Sequence, residues 1–527
     1  MGLIAIAIYL PTLRYGFVGY DDTLLVVQNQ PFLSDLGNVP QAFRQGAWSV
    51  PGFEGGNVYY RPAYTLSFMA DAQVGGARPL TYHLDNVLQH GIASALVAVL
   101  LLELGYGAWT ALLVGAFFAA HPAFVNVVAW VPGRADSLLA IFTLLSVLSW
   151  SRLYRHAGGP GKTGVTTAWL FVLGNVAAFA LALFTKESAV VLPAIFALLW
   201  WERGLPKPGR RWLFPSAAMW FVTIAVWYAL RSTSVSAPQP VGELLSNLGR
   251  HLLVPLQYVG KSVLPLDLSV TATIEDTNVI WGLLAVLGIG LGLVFSRRRR
   301  NPRVLFGLLW FLILVLPPLT VPRKAALEQR MYVPIVGLLL ILLEIDALKA
   351  LGRRAIGRAA LALVIAGFGA ITLTREPAYA SRLAFWESAV ATAPHAAYAR
   401  ASLGAAYVTE NRYLEAQAQY EIARQLNPLE LKVNHNLGFL AAQRGDYEAA
   451  KEFFAREIEI NPTFPDAYFN LGQALSALGQ HDQALRVWLR TLEVAPRHRA
   501  ALQAAVQYYA SVGRRDEATS LLNRYGG

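Results

Sequence analysis

The chain has 527 residues, of which 55% are hydrophobic and only 15% charged, and it contains no cysteine. A soluble globular protein carries roughly 25% charged residues, so this composition excludes a purely soluble fold. The missing cysteine excludes disulfides, thiolate metal sites and a cysteine nucleophile. The formal net charge of +11 would suit nucleic acid, but its placement along the chain gives it another task.

Apolar runs recur from the N-terminus to residue 374 and then stop. The first, 3–13, is shorter than the roughly 20 residues a spanning helix needs. It also lacks the basic start and small-residue cleavage site of a signal peptide. Eleven stretches read as spans: 2–17, 84–104, 108–121, 136–153, 166–184, 188–201, 212–230, 279–296, 303–318, 331–348 and 356–374. Basic residues cluster in four short loops: Arg152, Arg155 and Lys162; Arg203, Lys207, Arg210 and Arg211; Arg297 to Arg300 with Arg303; Lys349, Arg353, Arg354 and Arg358. They alternate with poorly basic loops, the pattern expected of cytoplasmic positive charge. All four lie on one side only if 231–278 returns to the side it left, so HLLVPLQYVGKSVLPL (251–266) lies along the surface or re-enters. The expected result is an integral membrane protein of bacterial inner-membrane type, N-terminus inside and C-terminal tail outside. The net charge is then an orientation signal, and nucleic acid is not a partner.

The unusual charges fall on the expected outer face. GFVGYDD carries Asp21 and Asp22 just after the first apolar run. Read alone, Asp22 caps the following segment and Asp21 is solvated. Read with its company, the pair resembles a base waiting for a hydroxyl. Arg61, His83 and His90 follow, then His121, Arg134 and Asp136 in HPAFVNVVAWVPGRAD. Lys186 and Glu187 occupy TKES, and Glu328 and Arg330 occupy ALEQR. Singly, Arg134 with Asp136 and Lys186 with Glu187 read as local ion pairs. Jointly, guanidinium and ammonium groups at one membrane face suit a phosphate anion. His83 and His90 share a helix face, but no third ligand joins them, so no metal site is assigned. No cofactor is required, and a divalent metal on the two aspartates is the alternative chemistry.

The tail is a repeat array. Pro394, Pro428, Pro462 and Pro496 are 34 residues apart, as are Gly404, Gly438 and Gly472, then Ala416, Ala450, Ala484 and Ala518, and the aromatics Trp386, Tyr420, Phe454 and Trp488. This is the tetratricopeptide period. Units 397–430, 431–464 and 465–498 follow a half unit and precede a final helical pair. Stacked pairs present a curved surface for extended peptide. Asn436 and Asn470 occupy equivalent positions and are candidates for holding a peptide backbone or for capping. The chain therefore reads as all-α: a polytopic bundle of about eleven spans over 1–375, then an extracytoplasmic α-solenoid over 376–527.

Taken in order, GFVGYDD, YYRPAYTLSF, TYHLDNVLQH, HPAFVNVVAWVPGRAD, TKES and ALEQRMYVP, followed by these repeats, resemble the transmembrane and tetratricopeptide repeat O-mannosyltransferases, membrane glycosyltransferases that use lipid-linked sugars. The resemblance implies a polyprenyl-phosphate sugar donor and an acceptor polypeptide with Ser or Thr hydroxyls outside the cytoplasm. It implies Asp21 as general base with Asp22 as its partner; one direct displacement at C1 would then invert the anomeric centre. This chain departs in its short first span, its few repeats and Ser402 where the later units have Asn. A lipid-linked-sugar transporter would instead carry charges within its spans, and an envelope scaffold would need a single anchor. These are the rival readings.

Overall fold

A computed structural model describes residues 1–50, 59–158, 165–203, 210–235, 240–297, 301–321 and 327–526. Lys162, Lys207 and Arg298 to Arg300 of the basic loops lie outside them. The regular elements among the described residues are all helices. They form two compact units, Met1–Ser388 and Ala389–Gly527. The stretch 376–388, expected to open the repeat domain, belongs to the first unit because its backbone and rings pack against residues 16–20 there: the Gly16 amide donates to the Ala380 carbonyl at 3.4 Å.

Among the described residues of the first unit, six helices are long and apolar enough to cross a membrane: Pro79–Glu103, Val131–Arg155, Val165–Thr185, Arg211–Ser234, Pro302–Thr320 and Ala355–Tyr379. Ala108–Ala120 with Pro122–Val128, bent by 50°, makes a seventh if it counts as one span. The bend falls at His121-Pro122, where proline cannot donate to the helical ladder. The other expected spans are helical but short: Gly2–Arg14 and Ile280–Val294, Leu192–Arg203 and Ile335–Leu343. Outward side chains such as Phe214, Leu363 and Phe295 are exposed, as a lipid-facing surface requires. The 251–266 stretch contains a 10-residue helix, Val254–Val263, too short to cross. It seats on the next helix through glycine, since a Cβ on Gly260 would lie 2.6 Å from the Gly282 amide nitrogen.

Charge is sorted to the two ends of these helices. At one end Glu103 meets Arg155 and Arg203, Glu202 meets Arg303 at 3.2 Å, and the buried Glu344 accepts from Tyr106 at 2.7 Å and Asn301 at 2.8 Å. This is the end that carries the basic loops. The other end holds the residues of the candidate site.

The repeat unit stacks helix pairs Ala397–Thr409 with Tyr413–Leu426, Val433–Gln443 with Tyr447–Ile460, Pro465–Ala477 with His481–Val494 and Arg499–Ser511 with Arg515–Tyr525. The 34-residue registers have one steric cause. A Cβ on Gly404, Gly438 or Gly472 would sit 2.7 Å from the Tyr420 ring, 2.8 Å from the Phe454 ring and 2.3 Å from the Trp488 indole nitrogen. Each glycine thus admits the aromatic of its own pair, and Ala416, Ala450 and Ala484 are fully buried alongside. Glu457, also fully buried, accepts the Lys432 amide at 2.7 Å and so holds the start of the Val433–Gln443 helix from the next helix. Gly472→Val is expected to destabilise the repeat unit by about 1–3 kcal/mol through overpacking. Urea denaturation followed by far-ultraviolet circular dichroism measures this. An unchanged midpoint would show that Trp488 yields freely.

Candidate active site

The GFVGYDD stretch makes a tight reversal. Gly19 takes φ +68°, open to glycine at little cost, and a Cβ there would lie 2.8 Å from Arg382 Cδ. The reversal turns the Val18 and Tyr20 amides onto Asp22, whose carboxylate accepts them at 2.6 and 2.9 Å. Asp22 is buried and makes no capping bond to the helix that follows. Burial pushes its carboxyl above the usual range, while the backbone amides oppose this. The two aspartates therefore separate in role: Asp22 shapes the loop and Asp21 is half-buried beside it. Tyr20, just before them, stacks on Trp130 at 6.0 Å between ring centroids.

Trp130 belongs to a turn fixed by one buried arginine. Arg134 is fully buried. It donates to Asp71 at 2.5 Å, to Asn86 Oδ1 at 2.9 Å and to the Tyr82 carbonyl at 2.9 Å. Asp85 lies 3.1 Å away, and the guanidinium sits over the Phe68 ring. Asn86 in turn donates to the carbonyls of Val128, Trp130 and Val131. Gly133 closes the turn where no side chain fits, since its Cβ would lie 2.1 Å from the Asn126 carbonyl. Burial raises the Asp71 carboxyl to about 6, with Arg134 lowering it and Asp85 raising it.

The sequence-adjacent charges do not pair with each other. Lys186 Nζ meets Asp136 Oδ1 at 2.5 Å, and Arg61 holds Glu187 through Nε and Nη2 at 3.0 and 2.8 Å. The four residues thus cross-link the Val131–Arg155 helix, the 186–187 corner and the Arg61 loop. Burial pulls the Lys186 ammonium below its usual value, Asp136 opposes this, and Arg61 and Arg330 add to it. Burial likewise pushes the Tyr64 phenol up, and that ring feels Arg61, Asp21, Arg134 and Asp136 together. Arg61, Asp136 and Lys186 are therefore joined through the 186–187 corner, and Arg330 lines the same cleft as Asp136 and Lys186. Arg330 donates to the Pro318 carbonyl at 3.3 Å. Asp136, Lys186, Ser188 and Arg330 line one narrow cleft together with Leu139, Leu314 and Val333. The Ser188 hydroxyl is buried without a hydrogen-bond partner.

Other expected site residues are engaged in packing. His90 Nδ1 lies 2.6 Å from the Tyr332 hydroxyl and Nε2 3.0 Å from the Ala119 carbonyl. His121 accepts the Ala123 amide and contacts the Ser262 carbonyl at 3.1 Å. Glu328 is fully buried and binds Lys261 at 3.0 Å and Arg375 at 3.3 Å. His83 lies under the Asp21 loop, 3.3 Å from the Gly16 carbonyl. In the repeat unit, Asn436 and Asn470 are half-buried on the first helices of successive pairs. Among the described residues no group of three or more His, Asp or Glu side chains could hold a metal ion. Sequence reading missed Asp71, Asp85, Lys261 and Arg375 as partners of buried charges, and Ser188. The signal available was electrostatic: a buried arginine must find a carboxylate somewhere.

The chain resembles known proteins over part of its length. Residues 441–508 match the tetratricopeptide repeat family. The protein O-mannosyl-transferase Tmtc2 of Drosophila melanogaster is 35% identical over 209 residues, 38% of this chain and 21% of that protein. The human protein O-mannosyl-transferase TMTC2 is 33% identical over 197 residues, 37% of this chain and 23% of its own. The match to mouse TMTC4, 32% identical, covers 34% and 26%. The match thus spans less than a third of the length of these relatives. Among solved structures, MamA overlays 27% of this chain and 84% of its own at 22% identity, with a TM-score of 0.26.

Proposed function

Taking the chain as a homologue of the TMTC protein O-mannosyl-transferases, we propose that it is an integral membrane glycosyltransferase. It moves a hexose, mannose by analogy with those relatives, from a polyprenyl-phosphate donor to Ser or Thr hydroxyls of an acceptor polypeptide on the extracytoplasmic side. The observation that carries this reading is the set of cations, Arg61, Lys186 and Arg330, gathered at one end of the helices, two of them lining a narrow cleft with Ser188, Leu139, Leu314 and Val333. A phosphate ester with a hydrocarbon tail has that division of chemistry.

In the reaction, the acceptor hydroxyl passes its proton to Asp21 as its oxygen attacks C1. The C1–oxygen bond to phosphate breaks, and the anomeric centre inverts. The leaving phosphate gains negative charge, and cations already fixed by their carboxylate partners stabilise it without reorganising. The basic opposite end supports a cytoplasmic placement there, and hence a repeat unit outside that engages the acceptor.

Reconstitution tests this. The full chain in vesicles, given a labelled polyprenyl-phosphate mannose and a Ser/Thr-rich peptide, is expected to yield labelled peptide and free polyprenyl phosphate in equal amounts. Movement of the intact donor across the bilayer without transfer would make it a transporter, and inertness toward polyprenyl-phosphate hexoses would leave a scaffold. In the same assay, donor KM is expected to rise on the alkaline side at lower pH than an ordinary lysine titrates. Lys186, with its lowered pKa, loses its charge there, and Lys186→Arg should move that limb to higher pH.

A further inference from the structure

Trp386 opens the 34-residue aromatic register of the repeats, yet it is used elsewhere. Tyr420, Phe454 and Trp488 each cover a glycine of their own pair. Trp386 instead meets Tyr20 edge-on at 5.1 Å, and Phe385 meets the same ring at 6.1 Å. Both are buried. The same short segment grips the Asp21 loop twice more, through the Gly16 amide on the Ala380 carbonyl and Arg382 under Gly19. It also reaches the facing turn, where the Tyr379 hydroxyl bonds Asn126 Oδ1 and Arg375 donates to the Pro122 carbonyl at 2.6 Å. Tyr20 is thus bracketed by Trp130 on one side and Phe385 and Trp386 on the other.

We propose that Trp386, with Phe385, is a positioning residue for Asp21: the 375–386 segment is a clamp that sets the loop carrying the base against the turn carrying Trp130. This rests on the reading of Asp21 as the base. Two adjacent aromatic contacts and a left-handed glycine leave the loop one seat, and a displacement of about 1 Å at a reacting group costs on the order of 10²-fold. Trp386 touches no substrate in this account and acts only through the loop.

The test uses the full chain in vesicles with polyprenyl-phosphate mannose and the peptide acceptor. Trp386→Leu is expected to lower kcat by roughly 10–100-fold with little change in either KM, and Trp386→Phe to restore most of it. In an Asp21→Asn background, Trp386→Leu should cause no further loss. A full additional loss there, an effect on KM alone, or an unchanged kcat would each overturn the proposal. Activity retained by Asp21→Asn would instead overturn the base assignment, so the two failures are told apart. If Trp386→Leu does not fold, Gly19→Ala carries the test. Alanine strains the left-handed turn and crowds Arg382, which should shift the loop and lower kcat; no loss counts against the clamp.

Discussion

Asp21→Asn is expected to lower kcat for sugar transfer by about 10²–10⁴-fold, the range general-base catalysis contributes, with donor and acceptor KM nearly unchanged. Asparagine keeps the shape of the side chain and cannot take the hydroxyl proton. The magnitude corresponds to about 3–5 kcal/mol of barrier at 1.36 kcal/mol per tenfold. Asp22→Asn is a contrasting control. Its carboxylate accepts two loop amides, so its loss should lower thermal stability as well as rate. Steady-state kinetics with melting curves on both variants separates the roles. Equal rates for wild type and Asp21→Asn would remove the base and leave the acceptor to be activated some other way.

Arg134→Leu is expected to have the largest effect on stability, about 3–5 kcal/mol, the cost of breaking a buried ion pair by removing one partner. It leaves Asp71 beside Asp85 with no counter-charge in the core, and frees Asn86 from the orientation that holds the Trp130 turn. The Asp71 carboxyl, already raised to about 6, should then take up its proton at higher pH still. The measurement is the melting temperature in detergent as a function of pH. With the arginine gone, the folded state favours the protonated acid, so the variant should be least unstable at low pH and lose further stability as pH rises through the new value. Arg134→Leu with Asp71→Leu should recover part of the loss. A melting curve for Arg134→Leu matching the wild type would show that the guanidinium contributes nothing net.

The elements were readable because they rest on local chemistry. Eleven apolar stretches became helices, and the 34-residue registers became glycine–aromatic locks. What the sequence hid was pairing. Arg134 beside Asp136 and Lys186 beside Glu187 look like neighbours in an ion pair, yet helix geometry points adjacent side chains apart, and each found its partner 50 to 126 residues away. The division of labour between Asp21 and Asp22 was hidden for a related reason. It depends on the left-handed Gly19, which decides where the Val18 and Tyr20 amides point. The domain boundary moved because Trp386 keeps the repeat spacing while packing against a distant loop.

The crossed pairs have a consequence for how such chains diverge. Asp136 and Glu187 depend on Lys186 and Arg61, so a charge reversal at any one of the four sets two like charges together at a part-buried site. Viable lineages should change these positions two at a time, 61 with 187 and 136 with 186. Chimeras that swap only the TKES corner between distant homologues should then fail unless both remote partners travel with it.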